Sequence, residues 1–205
     1  MTAPLLAGLD VSGTPDAWRA AGFAVDDDGG IRIGHVRMQT ECGTKGIAGW
    51  SFAGLPHAGD IDGLATATCD GPPIEPGEHP NGATLIDHVV VFSGDAGRTT
   101  RALEAMGLDA RRQRDAGTYG SPMRQTFFKT GDVIIELIGP VEPEPEPGPT
   151  GFYGIACSVK DLDACKALLG DALGNIKDAV QPGRRIVTLR HRDVGLRVAT
   201  AFMSE

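Results

Sequence analysis

The sequence predicts an α+β fold: paired βαβββ modules forming a half-closed, eight-stranded cup, with an additional degenerate βαβββ module at the N-terminus. Three observations predict it. One plan recurs along the chain: an apolar strand, a polar turn, a short amphipathic helix and a glycine stop, then further strands. Two polar, proline-rich stretches, 70–82 and 141–150, separate the copies. A single βαβββ unit cannot hide the apolar face of its own sheet, so two must dock, and docking leaves a concave cleft between them.

The clearest copy spans 85–140. IDHVVVF (86–92) is a β-branched strand. Asp95 is placed to cap a helix whose inner face is Ala96, Thr99, Leu103 and Met106, and Gly107 stops it. Strands follow at 110–114, RQTFFK (124–129) and VIIELI (133–138), the last two joined by Thr130-Gly131-Asp132. The next copy spans 151–205. FYGIACSV is its strand, Asp161 its cap, and Leu162, Cys165, Leu168, Leu169 and Ala172 its helix face, with Gly174 as the stop. RIVTLR (185–190) then pairs with GLRVATAF (195–202). The weakest copy, 1–65, has a strand at 5–11, Thr14 as cap with Pro15 at the first helical position, one strand over 31–38 and another over 47–52. The linkers are 66–84 and 141–150; the second, VEPEPEPGPT, reads as a stiff spacer.

Composition bounds the function. Of 205 residues, 27 are acidic and 19 basic, a formal charge of −8, which argues against nucleic acid or an anionic membrane surface as partner. No apolar run reaches the roughly 18 residues of a membrane span, and MTAPLLAGLDVSG lacks the basic start and apolar core of a signal peptide. Cys42, Cys69, Cys157 and Cys165 show no paired spacing and read as reduced, apolar residues of a cytoplasmic protein. Trp18 and Trp50 read as core, and His35, His57, His79 and His191 as surface residues. No P-loop, GxGxxG, GxSxG or HExxH motif is present.

From IDHVVVF through RQTFFKTGDVIIELIGP to FYGIACSVKDLDACKALLG and RRIVTLRHRDVGLRVATAFMS, the chain resembles the vicinal oxygen chelate superfamily: glyoxalases, bleomycin-resistance proteins and extradiol dioxygenases. Family enzymes carry a His or Gln on the first strand of each module and a Glu on the last. The resemblance places these at His88 and Glu136, candidates for catalysis and for ligating a divalent metal (Fe, Mn, Ni, Co or Zn). The second module departs from the pattern, with Gly154 at the place of His88 and Arg197 at that of Glu136. A third ligand would have to come from Gln125, His57, His79 or a partner chain.

Residue by residue, bland readings stand beside sharp ones. His88 follows Asp87, which suits a half-buried ring satisfied by its neighbour. Glu136, in an apolar run, must face the cleft, reach solvent or pair with a cation such as Arg197, a pair that would be structural or, with Arg197 as a substrate-binding residue, an anion-binding feature in place of the metal. Arg124, Gln125 and Phe127, with Arg184 and Arg185 at the matching place, are candidates for orienting a polar ligand, and Tyr119 in GTYGS for covering it. Two functions result: a glyoxalase-like enzyme (lyase, isomerase or dioxygenase) acting on an oxygen-rich metabolite, or a non-catalytic small-molecule binder of the bleomycin-resistance type. A homodimer is expected, because an odd module needs a surface to cover it.

Overall fold

The computed structural model describes residues 4–56, 58–71, 75–116 and 122–205. The chain opens with β1 (Leu5–Val11), α1 (Pro15–Ala20), β2 (Gly30–Ile33), β3 (Val36–Gln39), β4 (Ile47–Ala53), β5 (Gly59–Ile61) and β6 (Leu64–Cys69). It continues with β7 (Ala83–Phe92), α2 (Ala96–Ala105), β8 (Ala110–Ala116), β9 (Met123–Thr130) and β10 (Val133–Pro140). The last part holds β11 (Gly151–Val159), α3 (Leu162–Leu169), β12 (Lys177–Asp178), β13 (Arg185–Thr188) and β14 (Ala199–Ser204). No helix among the described residues is long and apolar enough to cross a membrane.

Two sheets result, a six-stranded one ordered β2-β3-β1-β4-β6-β5 and an eight-stranded one ordered β12-β13-β14-β11-β7-β10-β9-β8. They share a design. At each centre two opening strands run antiparallel, β1 with β4 and β7 with β11. Each is flanked by a parallel strand, β3, β6, β10 or β14, and then by an antiparallel one, β2, β5, β9 or β13. The larger sheet adds β8 and β12 at its edges. The cup of paired βαβββ modules is therefore present. The additional N-terminal unit resolves into two trimmed copies, the first without a counterpart of β8 and the second without a helix.

Local sequence explains most boundaries. The Thr14 hydroxyl accepts from the Ala17 amide at 3.2 Å, Asp95 from Arg98 at 2.8 Å, and Asp161 from Asp163 and Ala164 at 2.9 Å each, so all three expected caps form. Four expectations need correction. The strand over 31–38 is a hairpin that turns at Gly34, where φ is +58°. Strands β5 and β6 carry sheet structure past residue 65, into the stretch read as linker. Helix α3 stops at Gly170, at φ +53°, rather than at Gly174. The last strand begins at Ala199, because 190–196 closes on itself through Asp193 N to Arg190 O and Leu196 N to His191 O.

Strand alternation sends one face of each sheet into a shared core. Leu9, Val11, Ile33, Met38 and Phe52 of the smaller sheet join Val89, Val91, Phe128, Ile135, Leu137 and Phe202 of the larger in one buried cluster. Aromatic contacts cross it: Phe23 meets Phe202 at 5.9 Å, and Trp50 meets Phe152 at 5.0 Å. Trp18 and Trp50 are core, as expected, and all four cysteines are free thiols. The N-terminal unit thus buries its apolar face within its own chain, which removes the premise on which a dimer was expected.

The second linker is tied down. Arg98 donates to the Pro147 and Gly148 carbonyls, and Glu144 N to Gly94 O. Asp62, in the β5–β6 turn, pairs with Arg98 at 2.7 Å and accepts from the hydroxyls of Thr99 at 2.5 Å and Thr150 at 2.9 Å. Removing that carboxylate takes the ion-pair partner from a partly buried guanidinium and an acceptor from two hydroxyls, so Asp62→Ala is expected to cost about 2 kcal/mol in urea unfolding.

His79, expected at the surface, is only 8% exposed. Its Nδ1 accepts from Ala24 N at 3.1 Å and its Nε2 donates to Arg32 O at 3.0 Å, so the fold uses the neutral ring. Burial pushes its pKa below the ordinary 6.5. The unfolded chain therefore binds the proton more readily, and the stabilisation, complete above pH 6.5, is lost as pH falls below it. Urea midpoints measured between pH 7.5 and 5 should decline, and His79→Gln should flatten that decline while lowering the value at pH 7.5.

Candidate functional site

The other face of the eight-stranded sheet curves around a cavity of about 840 Å³. His88 and Val90 of β7, Gln125 and Phe127 of β9, and Ile134, Glu136 and Ile138 of β10 form one half, with Arg112 and Arg114 of β8 at the rim. The second module supplies Gly154, Ala156, Ile186, Thr188, Ala199, Ala201 and Met203. One wall is polar and the centre of the other, at Gly154, Ala156, Ala199 and Ala201, is small and apolar.

The polar wall is a chain of hydrogen bonds. In the β7–β11 ladder, Ala156 faces His88 but Cys157 faces Ile86, so Asp87 is the extra residue of a β-bulge. The bulge lets neighbouring side chains meet, and His88 Nδ1 lies 2.8 Å from Asp87 Oδ2. Behind it, Arg184 donates to Asp87 Oδ1 at 2.6 Å, to Ser158 Oγ at 3.0 Å and to the Ser204 carbonyl at 2.7 Å. Burial alone would raise the Asp87 carboxyl, but hydrogen bonds from His88 and Arg184, with their charges, outweigh it and hold the pKa at about 2. An ionised Asp87 can only accept, so Nδ1 carries the proton and Nε2 faces the cavity. There it lies 3.7 Å from Glu136 Oε2. Glu136 Oε1 accepts from Gln125 Nε2 at 2.5 Å, and Gln125 Oε1 from Arg114 Nε at 2.6 Å.

The structure thus brings His88, Gln125, Phe127 and Glu136 together. It places the other expected residues elsewhere. Arg124 grips Asp115 in a two-pronged pair at 2.9 and 3.0 Å, and Arg185 grips Asp163 at 3.1 and 2.8 Å; neither lines the cup. Arg184 faces Asp87 rather than a ligand. Arg197 precedes β14 and lines a separate crevice of about 400 Å³ with Lys45, His191 and Arg192, so it does not pair with Glu136. Tyr119 and His57 lie outside the described residues. Sequence reasoning passed over Arg112 and Arg114; the usable signal was their spacing of two on a strand facing Gln125 and Phe127.

The register also fixes the second module's counterparts. Glu136 pairs with Val90, five residues before the Asp95 cap; Ala156, five before Asp161, pairs with Ala201. Ala201, not Arg197, is therefore the counterpart of Glu136. Gly154, the counterpart of His88, has no room for a side chain: a Cβ there would overlap the Ala199 carbonyl oxygen and sit 2.8 Å from the Ala199 Cβ.

Residues 87–185 match the model of the glyoxalase/bleomycin resistance protein/dioxygenase superfamily. The matched segment, with the paired-module cup it helps to build, is that of the vicinal oxygen chelate superfamily. No curated protein matches the chain in sequence. Among solved structures, a triple mutant of 4-hydroxymandelate synthase from Streptomyces coelicolor aligns over 100% of this chain and 93% of its own, at 15% identity and TM-score 0.61. Methylmalonyl-CoA epimerase from Mycobacterium tuberculosis aligns over 60% of this chain and 89% of its own, at 19% identity and TM-score 0.47. A Streptomyces coelicolor methylmalonyl-CoA epimerase variant in complex with 2-nitronate-propionyl-CoA covers 60% and 98%, at 21% and 0.48. The first of these supports the fold across the entire chain.

Superfamily members commonly use divalent metals, so the donor set must be tested against one. His88 Nε2 and Glu136 Oε2 converge, but Gln125 Oε1 is held by Arg114, and the opposite wall offers Gly154, Ala156 and Ala201. Among the described residues no three His, Cys, Asp or Glu side chains are grouped to hold an ion. Two donors beside a guanidinium do not fit a tightly held metal. Protein purified without chelator should carry well below one equivalent of Fe, Mn, Co, Ni or Zn by elemental analysis. Gly154→His should not raise that content, and Gly154→Ala should lower stability by about 2 kcal/mol or more through overlap with β14.

Proposed function

We propose that the cup is the active site of a small-molecule lyase or isomerase working by general acid–base catalysis, with His88 and Glu136 moving a proton on a carbonyl-bearing metabolite. The observation that carries this reading is the aimed Nε2 of His88. Its Nδ1–H is anchored on an ionised Asp87, and its free nitrogen opens on the cavity 3.7 Å from Glu136 Oε2. On taking a proton at Nε2, the ring would stand between two carboxylates, Asp87 at Nδ1 and Glu136 at Nε2. Asp87 and Arg184 are positioning residues: they hold the tautomer and the ring plane without touching substrate. Dioxygenase chemistry would need a redox metal on at least three donors, which the described residues of this wall do not supply.

A second reading, a non-catalytic binder, is favoured by one observation: the second module's half of the cup has Gly154 and Ala201 where the first has His88 and Glu136. Deuterium wash-in separates the two. A panel of hydroxyketones, 1,3-dicarbonyls and 2-oxo acids is incubated in heavy water with the protein and followed by proton NMR. At least one should exchange its carbon-bound proton, and His88→Gln or Glu136→Gln should slow the exchange on the order of 100-fold. Saturable binding without exchange in any member, in the wild type, would leave the binder.

A further inference from the structure

We infer that the cup selects molecules bearing a carboxylate or similar anion, and that Arg112 and Arg114 on the edge strand β8 receive it. This rests on the reading of the cup as a small-molecule site, and it adds the class of ligand. In the β8–β9 ladder Arg112 stands opposite Phe127 and Arg114 opposite Gln125, so both project over the cavity that those two residues line. Their neighbours are spoken for elsewhere: Arg111 lies 3.7 Å from Asp109, and Asp115 is clasped by Arg124. Arg112 and Arg114 themselves have no ion-pair partner among the described residues.

Arg114 is preorganised. Its Nε is fixed on Gln125 Oε1 at 2.6 Å, and its guanidinium carbon lies 5.4 Å from the centre of the Phe127 ring. Both terminal nitrogens are left without a hydrogen-bond partner among the described residues, the fork that a carboxylate meets in two parallel bonds. The two acids of the lining do not compete for it. Glu136 is tied to Gln125 on the floor, and Asp178 sits on β12, the edge strand at the far end of the sheet. A ligand anchored at the β8 rim would extend its body across His88 toward Ile186, Ala201 and Met203, so an anion joined to an apolar body fits the two walls.

Paired fluorescent probes test this: 8-anilinonaphthalene-1-sulfonate and its uncharged parent, N-phenyl-1-naphthylamine. Wild type should bind the sulfonate at least about tenfold tighter than the parent at low salt. Arg114→Gln and Arg112→Gln should each weaken the sulfonate about tenfold and leave the parent unchanged, and Arg114→Lys should recover only part of the loss. His88→Gln should keep the preference, so a failure of proton exchange would not be mistaken for a failure here. Equal affinity for the two probes, equal loss of both in the arginine variants, or loss of the sulfonate in Arg192→Gln of the second crevice instead would overturn the proposal.

Discussion

The pairing of β7 with β11 is the constraint on which the rest depends. These strands lie at the middle of the eight-stranded sheet and set the register of everything outward, β10 and β9 on one side and β14 and β13 on the other. The ladder is not regular. It slips at Asp87, at Tyr153 and at Thr84, and each slip brings an extra residue into a local twist. The first slip lets adjacent Asp87 and His88 share a hydrogen bond, which two successive residues of a regular strand, pointing to opposite faces, do not make. The polar chain from Arg184 to Arg114 runs through that one irregularity.

The same pairing makes the halves of the cup unequal. Near-symmetry places Gly154 and Ala201 where the first module has His88 and Glu136. At Gly154, β14 comes so close that its backbone occupies the space of any side chain. The loss of the second set of polar groups is thus built into the main chain. What this half contributes is an apolar surface, while charge and hydrogen bonding are concentrated on the other.

Much of the fold was legible in the sequence because it is written in short-range terms. IDHVVVF, RQTFFK and VIIELI alternate or run apolar with the strand period, and Thr14, Asp95 and Asp161 mark helix starts by their side chains alone. His88 and Glu136 were singled out by the family resemblance, and the parallel pairing of β10 with β7 brings them within 3.7 Å. The rest depends on long-range geometry. Counting along the chain placed Arg197 opposite Glu136, because nothing local showed that 190–196 folds on itself before the strand begins. Strands of two or three residues such as β5 and β12 carry no period. The burial of His79 depends on Ala24 and Arg32, tens of positions away. Arginines look alike in a sequence, and only the distribution of nearby carboxylates separates Arg114 from Arg124 and Arg185.

The shared core has a consequence for how such a molecule can change. Along β9, Gln125 and Phe127 look into the cup, while Thr126 and Phe128 are shut away on the reverse. Every second position therefore belongs to a different task. The reverse is welded to a second sheet, whose own pairing repeats the plan of the first in trimmed form. With its foundation borne by that backing layer, the open side can exchange one set of polar groups for another over generations while the scaffold behind it stays put.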